Sequence, residues 1–523
     1  MHPWLGSNNL RLVIIHYHLE RGGVTQVINN HIQSLAASIT PKIEEVLILH
    51  GGRSSGWPDS SSFSNLPYPV RQITIQELEY DDANSTTSLE DCDRAIQGVI
   101  REEKLTPKDT LFHFHNHSLG KNASLTHSVS SIAESGFHCL LQIHDFAEDF
   151  RPDNYQHLLK FANRHHFEID RFLYPIAGHI HYAVLNSRDY KLLQHAGIPQ
   201  TALHLLPNPV TLPPDLPDRN DARAELNVHL SVDFSTPYIL YPVRGIRRKN
   251  LGELVLWSAI GMRLCPDNPP HFGMTLAPGN PIEQPNFRHW KAIATELGLP
   301  CYLGTAESGM SFEDSISAAD AIITTSVTEG FGMVFLEAFL NQKPLLGRDL
   351  HEITHDFKTN NIRFPSLYKS LKVPIDWIDI HKQRETVTSI YIDAAESYGI
   401  PAEPLSSYGD TIDFAKLSAG LQAEVVNKIV SDHSAMKTVV SLNPALEALS
   451  SISSKSGSEN EYINKNKQII KSKYGLANSG AHLSDIYQLV MDSPTNSINS
   501  AAKPQQIIQS LIQSETIYPI RHV

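Results

Sequence analysis

Cysteine is scarce in this chain of 523 residues: there are four, Cys92, Cys139, Cys265 and Cys301, and no two form a CxxC pair. That excludes a disulfide framework and a thiolate zinc site, and it suits a reducing compartment. Long apolar runs are missing too, none approaching the ~20 residues that span a bilayer. The N-terminus, Met1-His2-Pro3-Trp4, has no basic segment leading into an apolar core, so no signal peptide is expected. Positive charge is in the minority, with Lys+Arg 43 against Asp+Glu 56 and a net charge of −13. This argues against non-specific binding to nucleic acid or to anionic membranes. The expected location is the cytoplasm.

What is present is an ordinary globular composition, 41% hydrophobic and 19% charged. The length suggests about two to four domains. Short apolar runs alternate with helical patterns. Residues 10–15, 45–49, 111–114, 139–143 and 182–185 predict strands in the first half, and 238–241, 272–276, 301–303 and 321–324 in the second. After the first strand, Val27, Ile28, His31, Ile32 and Leu35 recur with helical spacing. Such alternation predicts βαβ units and parallel sheets, in two similar α/β halves. A Ser-, Gly- and Pro-rich stretch at 51–66 reads as a loop, and the Pro-rich residues 211–217 read as a linker. The domains are expected at 1–212, 213–470 and 471–523. Residues 391–465 look mostly helical, with a polar loop at 451–460 and helices at 463–474 and 483–491. The polar tail after Asp492 is expected to be partly disordered.

In open parallel sheets, ligands bind beyond the carboxyl ends of the strands. In the first half those positions hold His16, His18, Gly22, Gly23, His115, Asn116, His117 and His144. In the second they hold Arg244, Arg247, Arg248, Lys249, Thr305 and the segment from Glu329 to Glu337. The string Val243-Arg244-Gly245-Ile246-Arg247-Arg248-Lys249 reads as a diphosphate clamp or as a solvated basic turn. In Glu329-Gly330-Phe331-Gly332-Met333, two glycines let backbone approach a ligand ahead of a helix over residues 333–341. Phosphate suits a helix start, and the carboxylates Glu329 and Glu337 suit hydroxyl groups on either side. A sugar nucleotide has both parts. His113, His115 and His117 share a face of an extended segment. They read as a metal site, as sugar or acceptor contacts, or as satisfied histidines at a domain edge. With no carboxylate or Cys at ligand spacing, no metal is assigned. Asp91-Cys92-Asp93 lies in a helical stretch and reads as a solvated face.

Taken together, the pattern resembles the family-4 retaining glycosyltransferases of the two-domain GT-B architecture. The resemblance is carried by Arg21-Gly22-Gly23-Val24, His144, Leu206-Pro207-Asn208-Pro209, Arg244 with Lys249, Tyr302-Leu303-Gly304, and Glu329-Gly-Phe-Gly-Met-Val-Phe-Leu-Glu337. It covers roughly residues 10–350. It implies two Rossmann-like doubly wound domains facing an interdomain cleft. Glu337 would bind the ribose, and Glu329 with the backbone of Gly330, Phe331 and Gly332 would hold the donor sugar. Arg244 and Lys249 would neutralise the diphosphate, Gly22 and Gly23 would approach it, and His144 would contact the sugar. The last helices would cross back to the first domain. The implied reaction moves a hexose from a UDP-, GDP- or ADP-sugar to a hydroxyl with retained configuration, without metal or other cofactor. His115, Asn116, His117, Lys121 and Arg151 are the candidates for holding the acceptor, the two cations meeting a negative group. Gly347-Arg348-Asp349-Leu350-His351-Glu352 departs from the family pattern, and residues 351–470 show no correspondence. An epimerase or sugar phosphorylase of the same architecture, and a non-catalytic sugar-binding subunit, stay open, as does the oligomeric state.

Overall fold

A computed structural model describes residues 9–37, 40–82, 86–211, 215–405, 407–452 and 457–522. The N-terminal residues read for a signal peptide, positions 212–214 of the linker and positions 453–456 of the polar loop lie outside the described residues. The chain divides into two compact units, one of Met1–Thr211, Ala394–Pro401 and Ser472–Gln513, the other of Leu212–Asp393, Ala402–Lys471 and Ser514–Val523.

The first unit contains β1 (Asn9–Ile15), β2 (Lys42–His50), β3 (Val70–Thr74), β4 (Thr110–His115), β5 (His138–Ile143), β6 (Pro175–Ile176), β7 (Ile180–Val184) and β8 (Leu203–Leu205). Seven of these form a sheet in the order β3-β2-β1-β4-β5-β7-β8, with every neighbouring pair parallel. The strands are near-continuous apolar runs because both faces are covered, and Leu12, Val13, Ile14 and Ile15 are fully buried. The helix Gly23–Ser34 covers one face together with the late helix Leu476–Met491. Ile28 and Ile32 of the former and Leu483, Tyr487 and Val490 of the latter share a core with Leu10, Leu12 and Ile14.

The tail is more ordered than its polarity suggests. Ser500–Ala501 pairs antiparallel with β6. The helix Pro504–Leu511 buries Ile507, Ile508 and Leu511 and packs on the helix Ser187–Ala196. Pro504 sits in the first helical turn, where proline is tolerated. Ile507, Ile508, Leu511 and Ile512 fall at helical spacing within the polar string, a short signal that the overall polarity of the tail hid.

The second unit contains β9 (Tyr238–Arg244), β10 (His271–Leu276), β11 (Cys301–Leu303), β12 (Ala321–Thr324), β13 (Leu345–Arg348) and β14 (Leu367–Tyr368). They form a six-stranded sheet in the order β11-β10-β9-β12-β13-β14, again parallel throughout. In each sheet the order reverses beside the first strand, between β1 and β4 and between β9 and β12. Those are the positions where doubly wound sheets bind ligands. The helix Leu251–Leu264 is buried on all sides from Leu251 to Gly261, packed against the helix Ala419–Ser431 as well as the sheet.

The stretch with no family correspondence, residues 394–401 apart, is folded into this unit. It supplies the helix His351–Thr359, β14, and an antiparallel pair β15 (Lys372–Pro374) and β16 (Thr411–Asp413). The strand β16 interrupts the expected helical run over 391–465, and the helix Gly457–Tyr474 starts ahead of the predicted 463.

Candidate active site

Two turns of the second unit meet at the point where its strand order reverses. The turn after β9 runs through a short helical turn, Arg247–Lys249, and Asn250 at φ 51° redirects the chain into the helix Leu251–Leu264. The turn after β12 is fastened to it. Val327 N–H donates to the Arg248 carbonyl at 3.0 Å, and Thr325 Oγ1 donates to the Lys249 carbonyl at 2.8 Å. This brings Glu329 between two cations. Its Oε2 accepts from Arg248 Nη1 at 2.6 Å, and its Oε1 is paired with Lys249 Nζ. Ser326 Oγ donates to the same Oε1 at 2.6 Å and is itself 2.6 Å from the Tyr241 hydroxyl.

Glu329 and Lys249 are 9% and 8% exposed, so the pair is hydrogen-bonded largely out of water. Burial alone would raise the Glu329 carboxyl, but Arg248 and Lys249 outweigh it and hold the group at about 2. Burial pushes the Lys249 ammonium down to about 8, against the pull of Glu329. Glu337 lies on the helix Val334–Leu340 at a partly exposed position. Burial lifts its carboxyl above the ordinary range, with Lys249 acting in the opposite direction.

Gly332 has φ +77°, and a Cβ there would stand 2.7 Å from the Phe335 ring and 2.8 Å from Ile353. The turn therefore requires glycine at this position. Phe331 is buried edge-on against Phe357 at 5.4 Å, and Gly330 is partly exposed beside it. The helix that follows has seven residues, shorter than the expected 333–341. Of the four cations near β9, Arg248 and Lys249 converge on Glu329. Arg244 is exposed at the strand end, while Arg247 is bound to Glu283 through its N–H at 2.8 Å and its guanidinium. Thr305 is buried beside the end of β11.

Sequence reading missed part of this arrangement. Tyr241 read only as part of a strand and Arg248 as one of a basic string, and Ser326 was not singled out. It also missed the buried network that carries the turn. Arg348 Nη2 pairs with Glu253 at 2.5 Å and its Nη1 with Asp413 at 2.8 Å. Tyr368 donates to Glu253 at 2.6 Å, and Asn250 Nδ2 donates to the other Glu253 oxygen at 2.8 Å. The departure from the family pattern at Gly347-Arg348 is where this network enters. Gly347, at φ +108°, passes so near β12 that a Cβ would lie 2.0 Å from the Thr324 carbonyl oxygen. Ile520, close to the C-terminus, packs with Val327 and Ala415 behind the Glu329 turn.

The strand ends of the first unit carry different groups. His16 follows β1, buried, with Nδ1 3.2 Å from the His115 carbonyl oxygen. His18 Nε2 meets the Tyr80 hydroxyl at 3.0 Å. Gly22 and Gly23 are exposed at the start of the helix Gly23–Ser34, and a Cβ on Gly23 would meet nothing within 4 Å. His115 Nδ1 lies 2.8 Å from His144 Nε2. Asn116, at φ +60°, accepts at Oδ1 from the N–H groups of His144 at 2.7 Å and Asp145 at 3.1 Å. His117 donates Nε2–H to the Leu173 carbonyl at 3.0 Å. His115, Asn116 and His117 are all buried, so the polar partners described here are protein atoms. His144 is 6% exposed, and burial pushes it down to about 3, leaving a neutral imidazole. Arg151 is paired with Asp145 at 2.6 Å and donates to the Phe146 carbonyl at 2.8 Å. Lys121 is partly exposed, with its ammonium 5.6 Å from the Tyr80 ring centre. Asp91 and Asp93 lie on the helix Leu89–Glu102, where Asp91 pairs with Arg94 at 2.7 Å and Asp93 accepts from Ser128 at 3.0 Å.

No protein-family profile matches the chain. It is 29% identical over 429 residues to mannosylglucosyl-3-phosphoglycerate synthase of Petrotoga mobilis, with 79% of each chain covered. Among solved structures it is similar to HepE of Anabaena in complex with UDP and glucose, with a TM-score of 0.50 at 13% identity, covering 91% of this chain and 99% of that one. The complex of the same protein with UDP-glucose gives 0.49 at 12% identity, with 91% and 99% covered. At such identity the structural likeness speaks for the fold. Fold and sequence likeness together make the chain an α/β protein of the GT-B type, and the class they support for it is glycosyltransferase.

Proposed function

We propose that the protein is a retaining glycosyltransferase that moves a hexose from a nucleotide diphosphate sugar to a hydroxyl of a small polar or saccharide acceptor. The observation that carries this reading is the Glu329 carboxylate held between Arg248 and Lys249 at the reversal point of a parallel sheet, with Glu337 on the helix that follows. Glu337 binds the ribose. Glu329 and the backbone of Gly330, Phe331 and Gly332 hold the sugar. Lys249 and Arg244, joined by Arg248, meet the diphosphate, and His144 contacts the sugar as a neutral imidazole.

The carbon–oxygen bond between the sugar and the phosphate breaks, and its electron pair leaves with the diphosphate. The acceptor oxygen bonds to the same carbon from the same face, and its proton passes to the departing phosphate oxygen. A carboxylate shared by two cations and held at about 2 is a poor nucleophile, which favours this front-face route over a covalent intermediate. Negative charge grows on the leaving group, and fixed cations stabilise it there, a contribution of about 2.7–4 kcal/mol per donor in comparable anion sites. These cations do the work without a catalytic metal.

The relative's product, by its name, contains mannosyl, glucosyl and phosphoglycerate parts. On that precedent we assign a saccharide acceptor bearing an anionic group, with Lys121 and Arg151, rather than the buried His115, Asn116 and His117, on the acceptor side. Incubation with UDP-, GDP- and ADP-hexoses and a panel of phosphorylated saccharides, followed by NMR of the product, tests the reading. An α-linked product from an α-linked donor is expected. Intact donor with every acceptor would point to a sugar-binding subunit, and conversion of donor alone to an epimerase.

A further inference from the structure

The first unit holds a cluster that donor transfer does not use. His31 projects from the helix Gly23–Ser34, and His113 and His115 from one face of β4. All three are at most 1% exposed. One ring nitrogen from each lies within 4.8 Å of one from the others. The ring of His31 stands 5.9 Å from that of His113 and 6.0 Å from that of His115. His117, which shares their face in an extended chain, lies past the strand end and bonds to Leu173 instead.

We infer that His31, His113 and His115 form a binding site for a borderline divalent metal ion of the zinc type. The inference goes beyond the donor-transfer reading and does not rest on it. Both ring nitrogens of His31 and Nε2 of His115 are buried without a hydrogen-bond partner among the described residues. An unpaired buried polar group is costly, and coordination would satisfy one nitrogen of His31 and Nε2 of His115, while His113 Nδ1 would exchange its bond with the Tyr487 hydroxyl for the ion. The outer contacts of His113 and His115 are those of metal-bound histidines, which give their second nitrogen to a fixed acceptor. His113 Nε2–H donates to Gln142 Oε1 at 3.0 Å, leaving Nδ1 as the lone pair. His115 Nδ1 and His144 Nε2 share one proton at 2.8 Å. With that proton on His115, its Nε2 presents a lone pair to the cluster.

Burial keeps the rings neutral, His31 down at about 3 and the other two well below the ordinary range, and neutral imidazole is the ligand form. Three imidazoles with no thiolate suit zinc, copper or nickel better than magnesium or calcium. The Tyr487 hydroxyl, 2.8 Å from His113 Nδ1, is placed to become a fourth ligand. A tetrahedral ion with bonds of ~2.0–2.1 Å wants its ligand atoms ~3.3 Å apart, so the ligand atoms must close by on the order of 1 Å, and the stacked rings of His113 and His115, 28° apart in plane, must turn toward a common point. The site is enclosed, so the ion is taken up as the chain folds.

The full-length protein is refolded with equimolar zinc chloride, desalted, and assayed for metal by mass spectrometry before and after unfolding in the presence of a chromophoric chelator. One zinc per chain, released on unfolding and absent from His31→Leu, is the expected result. Refolding with cobalt should give the visible bands of a tetrahedral nitrogen site, a readout that needs no variant. Wild-type protein that holds no zinc and shows no cobalt spectrum would overturn the inference. So would a His31→Leu protein that retains as much zinc as wild type.

Discussion

The two sheets reverse their strand order in the same way, yet their strand ends differ in chemistry. In the second unit the buried groups are ionised and paired, Glu329 with Arg248 and Lys249, and Glu253 and Asp413 with Arg348. In the first they are imidazoles kept neutral by burial and bonded largely to one another and to backbone. A site that handles changing phosphate charge needs fixed charges supplied in advance. A site that recognises hydroxyl groups needs donors and acceptors without net charge. On the proposed function, one fold would thus carry two chemistries, decided by the few residues after each strand.

The largest effect is expected where a buried charge loses its partner. Arg348→Met leaves Glu253 and Asp413 uncompensated and should destabilise the second unit by about 3–5 kcal/mol, read as a lowered melting temperature. An unchanged melting temperature would mean that the paired charges do not hold this unit together. Next comes Lys249→Ala, which should lower kcat/KM by roughly 100- to 1000-fold, the equivalent of about 2.7–4 kcal/mol, in initial-rate assays with the donor that binds.

The first unit should respond to acid instead. In the metal-free protein the folded values of His16, His31 and His144 are about 3, against 6.5 for a free histidine. The unfolded chain therefore binds more protons between those limits, and stability present above pH 6.5 is lost as the pH falls. The loss should be about 1.4 kcal/mol per pH unit for each histidine. Urea titrations at descending pH would measure it, and a flat profile would show that the imidazoles are not buried neutral. The smallest effect contrasts with this. Lys249, at about 8, is charged below that value and neutral above it, so kcat/KM should be level below pH 8 and fall tenfold per unit above it. Lys249→Arg should remove that limb from the pH–rate profile.

Nine strands were legible because a strand covered on both faces is nearly apolar along its length, as 10–15 is but for Arg11 and 321–324 but for Thr324, whereas β3, β8, β13 and β14 were not expected. The Glu329 and Lys249 turns were legible because glycine and charge directly after a strand have few purely structural uses. Arg348 was not, since a lone arginine after two leucines carries no mark of the distant Glu253 and Asp413 that pair with it. His31 was hidden by its place in a helical pattern, where it read as one more residue of the core face. Asn116 read as an acceptor contact, yet its φ of +60° and its bonds to His144 and Asp145 depend on β4 and β5 lying side by side. Contacts set by distant parts of the chain leave no local signal.

Calorimetric titration of the intact protein with UDP-, GDP- and ADP-hexoses, repeated with Glu337→Ala and Lys249→Ala, tests the donor site most directly. Saturable binding of at least one donor, weakened at least tenfold in each variant (about 1.4 kcal/mol), is the predicted result. Binding of none, or equal binding by wild type and both variants, would contradict the account.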